Sequence, residues 1–161
     1  MLTPDEIERY KRQLVLKEIG GEGQQRLKDA KVLVVGAGGL GSPLLLYLAA
    51  AGVGQIGLID DDRVSLDNLQ RQVVHDTASA GTYKTRSAAR SIERLNPHID
   101  TRLFETSRQS PDAAEQIDST YTHGHPQVAM FLAYWPGKHL PSTASIIHRK
   151  RLIMIEGTAF F

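Results

Sequence analysis

The chain has 161 residues, 19 Lys and Arg against 18 Asp and Glu, and no cysteine. That length suits one domain with a core of its own, and the net charge of +1 supplies no global field for nucleic acid or an anionic membrane. The missing cysteines exclude disulfides, thiolate metal sites and a cysteine nucleophile on this chain.

In chain order, Thr3-Pro-Asp-Glu6 carries helix-start signals: a capping hydroxyl, a proline in the first position and then acids. The helix is expected to run through Arg9, Arg12 and Gln13 and to break at Gly20-Gly21, with a short helix around Gln24 to Leu27 behind it. Val32 to Val35 is a continuous apolar run, β-branched except at Leu33, the pattern of a strand covered on both faces. Gly36 to Gly41 turns the chain into a helix that has Pro43 in its first turn and ends at Gly52 and Gly54. Gln55 to Ile59 reads as the second strand. Tyr83 to Leu95 reads as a helix with Ala88, Ile92 and Leu95 on one face, bounded by Pro97.

Thr101 to Phe104, Val128 to Leu132 and Leu152 to Ile155 are three further strands, with helices expected from Pro111 to Ile117 and Ser142 to Lys150. Strands alternating with helices predict a Rossmann-like, doubly wound α/β fold: a mainly parallel sheet with right-handed crossovers, preceded by N-terminal helices. Residues 121–137 fit no period, and His123 and His125 read as exposed loop. The apolar end at Phe160-Phe161 predicts a domain interrupted at its C-terminus. No apolar run approaches the roughly 20 residues of a membrane span, and the charged N-terminus lacks a signal-peptide core. A soluble, cytoplasmic, single-domain protein over residues 1–161 is expected.

The chemistry lies in two segments. Gly36-Ala-Gly-Gly-Leu-Gly41 has the G-x-G-x-x-G form. Gly36 permits the tight turn, Gly38 lets backbone approach a phosphate, and Gly41 allows close helix–strand packing. The helix that follows presents free N–H groups and its positive dipole end. Asp60 follows the second strand, where a carboxylate accepts ribose hydroxyls; Asp61 and Asp62 read as solvated loop charges. This much suits a nicotinamide dehydrogenase equally well. Asn68, Gln70, Arg71, Gln72 and Lys84 favour a triphosphate instead, because clustered phosphates need arginine and lysine to balance their charge. Arg71 and Lys84 are also placed to stabilise charge on a departing pyrophosphate.

Arg9-Tyr-x-Arg12-Gln13, Gly36-x-Gly-Gly-Leu-Gly41, Asp60 with Asn68-Leu-Gln-Arg-Gln72, Lys84 and Asn96-Pro97 together resemble the ThiF/HesA/MoeB family, adenylyltransferases related to ubiquitin-activating enzymes. The resemblance runs almost continuously from Leu2 to about Asp100. It implies ATP and magnesium as cofactors. It implies adenylation of the C-terminal glycine of a ubiquitin-like sulfur-carrier protein, of the molybdopterin or thiamine pathway type. It places Gly39 against the phosphates, Asp60 on the ribose, and Asn68, Arg71 and Lys84 on the phosphates. Arg12 resembles an arginine that reaches into the neighbouring subunit's site, which implies a homodimer. Arg71, Lys84 and Arg12 are thus the candidate catalytic residues. The carrier carboxylate attacks the α-phosphorus, so the enzyme contributes positioning and charge stabilisation.

The sequence departs from that family after about residue 120. Relatives follow the fourth strand with Asp-x-x-Asp-Asn and a Thr-Arg-Tyr-like segment; here Met130 and Ala133 take the acid positions and Lys138 replaces the arginine. Neither Met nor Ala offers magnesium an oxygen ligand, so no metal-binding residue is assigned, and the zinc-binding cysteines of many relatives are missing. These departures predict poor turnover. They leave open a catalytically inactive nucleotide-binding or dimerisation partner of the same family.

Overall fold

Thr3 opens the first helix, α1 (Pro4–Leu14), through a reciprocal capping box: its hydroxyl accepts from the Glu6 N–H at 3.3 Å, and Glu6 accepts from the Thr3 N–H at 2.7 Å. The computed structural model describes residues 1–106 and the strands at 128–134 and 152–156. Glu6 is 3% exposed, and its carboxylate also takes Lys28 Nζ at 2.7 Å. Burial by itself pushes this carboxyl upward, but Lys28 and Thr3 hold it below the usual range.

The second helix, α2 (Gly20–Asp29), corrects the sequence reading. Gly20 and Gly21 open it rather than precede it, and it runs ten residues instead of about four. Glycine is a poor helix former, so tertiary contacts hold this helix. Gln24 is fully buried and donates from Nε2 to the Ala51 carbonyl at 2.9 Å.

The strands β1 (Lys31–Val35), β2 (Gln55–Ile59), β3 (Asp100–Phe104), β4 (Val128–Tyr134) and β5 (Leu152–Glu156) form one parallel sheet in the order β3-β2-β1-β4-β5. The Rossmann-like expectation holds for this sheet. Chain order reverses between β1 and β4, and the C-terminal edge at such a switch point is where ligands bind in this architecture. The helices α3 (Gly41–Ala51) and α4 (Lys84–Leu95) pack against one another. Val32 and Val34 of β1 and Ile56 and Leu58 of β2, paired in register, meet Leu45, Ala49, Ala88 and Ile92 in one core cluster. Leu33, Val35 and Ile59 alternate with these and are also buried, as a doubly covered strand requires.

On α4 the predicted apolar stripe holds at Ala88 and Ile92 but not at Leu95, which is 40% exposed. The face is completed by Asn96, fully buried just past the helix end. Its Nδ2 reaches the Ala49 carbonyl at 2.8 Å and the Tyr10 hydroxyl at 2.7 Å. Arg9 Nη1 caps the Leu95 carbonyl at 2.9 Å. Arg9, Tyr10 and Asn96 therefore tie α1 to the ends of α3 and α4. Strand β4 is two residues longer than expected, which brings Ala133 and Tyr134 into the sheet, and β5 is one longer at Glu156. The helices expected at 111–117 and 142–150, together with His123, His125, Lys138 and Phe160-Phe161, lie outside the described residues. Among those described, no helix is long and apolar enough to cross a membrane.

Candidate functional site

At the C-terminal end of β1 the chain enters the glycine turn. Gly36 takes φ +95°, a left-handed conformation that favours glycine. Its N–H donates to the Ile59 carbonyl at 2.8 Å, which binds the turn to the end of β2. Gly41 is buried and opens α3, and Leu40 at the helix cap supplies no side-chain bond. Among the described residues no acceptor meets the Gly38, Gly39 or Leu40 N–H groups. These donors therefore remain available to an anion at the helix start.

Asp60 follows β2 and folds back onto the turn. Its Oδ2 accepts from the Ala37 N–H at 2.8 Å and its Oδ1 from the Asp62 N–H at 2.9 Å. Burial pushes its pKa up, against the lowering effect of those two N–H groups and of the Lys84 charge. Lys84, at the start of α4, is only 5% exposed. Its Nζ meets Asp62 Oδ2 at 2.8 Å and its backbone N–H donates to the Asp62 carbonyl at 3.0 Å. Asp62 is thus not merely a solvated charge, although its side chain is 68% exposed.

A second group approaches from the segment after β2. Arg71 lays its stem over Gly39: a Cβ there would sit 3.7 Å from Arg71 Cδ. A Cβ on Gly38 would sit 3.9 Å from Gln72 Nε2. Asn68 Oδ1 accepts from Gln72 Nε2 at 2.9 Å, and the buried Gln72 Oε1 has no partner among the described residues. The guanidinium of Arg71 is exposed, with a single long contact of 3.5 Å to the Asp67 carbonyl. So Gly36, Gly38, Gly39, Gly41, Asp60, Asn68, Arg71 and Lys84 come together at one end of the sheet. Arg12 does not join them; it is exposed in the last turn of α1.

His75 belongs to this group and was not singled out in the sequence. It is 7% exposed, with Nε2 3.0 Å from the Ala37 carbonyl and Nδ1 3.0 Å from Ser87 Oγ. Burial lowers its pKa, which favours the neutral ring. Its loop is pinned on both sides: the Val74 N–H donates to Ser42 Oγ at 2.7 Å and the Val74 carbonyl accepts from Ser91 Oγ at 2.6 Å. The available signal is the Val73-Val74 pair before His75, of which Val74 carries the loop back to the core while Val73 stays exposed.

The carboxylates of Asp60, Asp61 and Asp62 lie within 4.8 Å of one another. Magnesium needs near-octahedral oxygen coordination. Both Asp60 oxygens already accept N–H groups, and a lysine ammonium sits on Asp62. The described residues do not fit a resident magnesium cage.

The family model described as "ThiF family" matches residues 10–153. A probable adenylyltransferase/sulfurtransferase MoeZ of Mycobacterium tuberculosis is 52% identical over 120 residues, covering 74% of this chain and 30% of its own length. The adenylyltransferase and sulfurtransferase UBA4 of Candida albicans is 50% identical over 110 residues, covering 68% of this chain and 25% of its own. The chain thus spans less than a third of the length of these curated relatives. The crystal structure of the E. coli tRNA N6-threonylcarbamoyladenosine dehydratase TcdA in complex with ATP superposes with a TM-score of 0.72 at 28% identity, covering 83% of this chain and 52% of that one.

Proposed function

The chain belongs to the ThiF family, and we propose that it is a single nucleotide-binding domain that holds ATP for adenylation of a C-terminal carboxylate on a ubiquitin-like sulfur-carrier protein. The observation that carries this reading is the pairing of an open glycine turn with two cations, Arg71 over Gly39 and Lys84 beside Asp60. The ATP complex of TcdA supports it. In this reading the Gly38, Gly39 and Leu40 N–H groups face phosphate, Asp60 the ribose, and Asn68, Arg71 and Lys84 the phosphate oxygens. The carrier carboxylate attacks the α-phosphorus, pyrophosphate departs, and the cations offset its growing charge. Held reactants in line reduce the entropic part of the barrier. A nicotinamide cofactor would leave the exposed Arg71 guanidinium without a purpose.

Arg12 is proposed to reach the site of a second copy across a two-fold interface. Ile7, Val15 and Leu16 support it: they are 49%, 79% and 47% exposed on or just after the same helix. One experiment tests the site and the assembly together. Arg71→Ala is expected to weaken ATP about tenfold or more while leaving adenosine unchanged, because it removes a charge-assisted phosphate contact. Mixing Arg71→Ala with Arg12→Ala chains should then restore part of the ATP affinity. Equal loss for ATP and adenosine in calorimetry rejects the phosphate role; no recovery despite subunit exchange rejects the trans arginine.

A second reading, an inactive nucleotide-binding partner, is favoured by the register of β4. Leu132 pairs with Val35, so Ala133 stands level with the first residue of the glycine turn. Met130 pairs with Leu33 and lies deeper in the sheet. The β4 position level with the glycine turn thus carries no acid. Carrier-dependent ATP–pyrophosphate exchange is expected to fall well below about 1 per second, the ordinary lower range for enzymes. Exchange at or above that rate would make the domain active as it stands.

A further inference from the structure

The structure assigns His75 as a positioning residue that sets the peptide plane between Ala37 and Gly38 and so aims the Gly38 N–H at the phosphate. This rests on the ATP reading above and deepens it. A carbonyl oxygen only accepts, so the nitrogen 3.0 Å from the Ala37 carbonyl, Nε2, carries the hydrogen. Nδ1 then holds the lone pair and accepts the hydroxyl hydrogen of Ser87 at 3.0 Å. The Ala37 carbonyl thereby selects the tautomer, in the way a partner on one ring nitrogen fixes the state of the other, and Ser87, whose hydroxyl can donate or accept, complements it and holds the ring in place.

The consequence for the turn follows from peptide geometry. A trans peptide is planar, with its C=O and N–H pointing in opposite directions. His75 draws the Ala37 carbonyl toward the interior, so the Gly38 N–H of the same peptide points outward. On the other side of Ala37, its own N–H is held by Asp60. Both peptide planes that flank Ala37 are therefore fixed, one by a carboxylate and one by an imidazole. A turn held this way presents its donors without reorganising when an anion arrives, the preorganisation that electrostatic stabilisation depends on. Ser87 lies one turn along α4 from Lys84, so the same ring couples the glycine turn to the helix that carries the buried cation.

Two polar replacements separate this role from simple packing. In His75→Gln the amide nitrogen reaches the position of Nε2 and can still donate to the Ala37 carbonyl. In His75→Asn it reaches only the position of Nδ1. Binding of ATP and of adenosine is measured by calorimetry for both variants and the parent, and folding is checked by thermal melting. The expected result is ATP affinity within about threefold of the parent for Gln and about tenfold weaker for Asn, the scale of one lost hydrogen bond, with adenosine unchanged in both. Long-range nitrogen-15 correlation on labelled histidine should show the Nε2–H tautomer in the parent, and also in Ser87→Ala, where the Ala37 carbonyl still requires a donor.

Equal ATP affinity in the Gln and Asn variants overturns the assignment, as does parallel weakening of ATP and adenosine or an Nδ1–H ring. Should Asn fail to fold, the tautomer measurement and Ser87→Ala, expected to weaken ATP alone, decide the matter. A parent that binds adenosine but not ATP would instead overturn the triphosphate reading, and the role of His75 with it.

Discussion

Gly54→Ala is expected to remove about 3–5 kcal/mol of stability, an exceptional loss for the addition of one methyl group. A Cβ built at Gly54 overlaps the Lys28 carbonyl oxygen and lies 2.8 Å from its carbonyl carbon. The obstruction is backbone, so no rotamer change relieves it. The same segment is fastened there by hydrogen bonds: the Gly54 N–H donates to the Leu27 carbonyl at 3.1 Å and the Gln55 N–H to the Ala30 carbonyl at 3.2 Å. The Asp100 N–H donates back to the Gly54 carbonyl at 2.9 Å, which starts the β2–β3 pairing. Relief of the clash would part α2 from the sheet or disturb the β3 register. For a chain of this size each kcal/mol shifts Tm by about 2–4 °C, so a fall of about 10 °C is expected.

Two other glycines serve as controls. Gly81 has φ +82° with nothing within 4 Å of a built Cβ, so Gly81→Ala should cost only the left-handed penalty, about 1–2 kcal/mol. Gly21, in the first turn of α2, also has open space and no positive φ, so Gly21→Ala should be neutral or stabilising by up to about 1 kcal/mol. Thermal melting of the three variants checks the order. Equal melting temperatures for Gly54→Ala and Gly81→Ala would show that α2 does not lie on Gly54.

The same contrast explains what the sequence could and could not convey. Val32 to Val35 is legible because both faces of a central parallel strand are buried, so the run itself is the signal. The turn at Gly36 is legible because the φ it needs is a property of residue type. The extent of α2 is not legible, since Gly20, Gly21 and Gly23 argue locally against a helix. The helix exists because Gln24 is buried on α3, a contact 27 residues away. Leu95 is illegible for a related reason: spacing places it on the apolar face, but the helix ends there and buried Asn96 takes over. The glycines, Asp60, Asn68, Arg71 and Lys84 were legible as residue types in order. Their mutual geometry was not. Nothing local indicates that Lys84 returns to Asp62, or that His75 lies under the turn.

The burial of Lys84 leads to the second large effect, which falls on Asp62. The two partners of this pair are unequally hydrated: Lys84 is 6% exposed at its side chain and Asp62 68%. Lys84→Met leaves Asp62 to water and takes from Asp60 a charge that supports it less than its two N–H donors do, so the stability cost should be small, within about 1 kcal/mol. Asp62→Ala leaves a buried ammonium without its ion-pair partner. Asp60 is near enough to feel that charge, but its oxygens already accept two N–H groups. Removal of one partner of a fully buried pair costs about 3–5 kcal/mol; with one partner largely exposed, a loss of about 1–3 kcal/mol is expected. Denaturant titration of both variants should therefore give unequal losses for the same broken contact, with Asp62→Ala the larger. ATP adds a second readout. If Lys84 meets phosphate, bound ATP replaces the missing carboxylate, and a ligand that favours the folded state raises stability by RT ln(1 + [L]/Kd). Asp62→Ala should then gain more in Tm from saturating ATP than the parent does, with or without magnesium present, and Lys84→Met should gain less. A larger stability loss for Lys84→Met would reverse the assignment of which charge needs the other. An equal ATP response in all three proteins would remove Lys84 from the phosphate site.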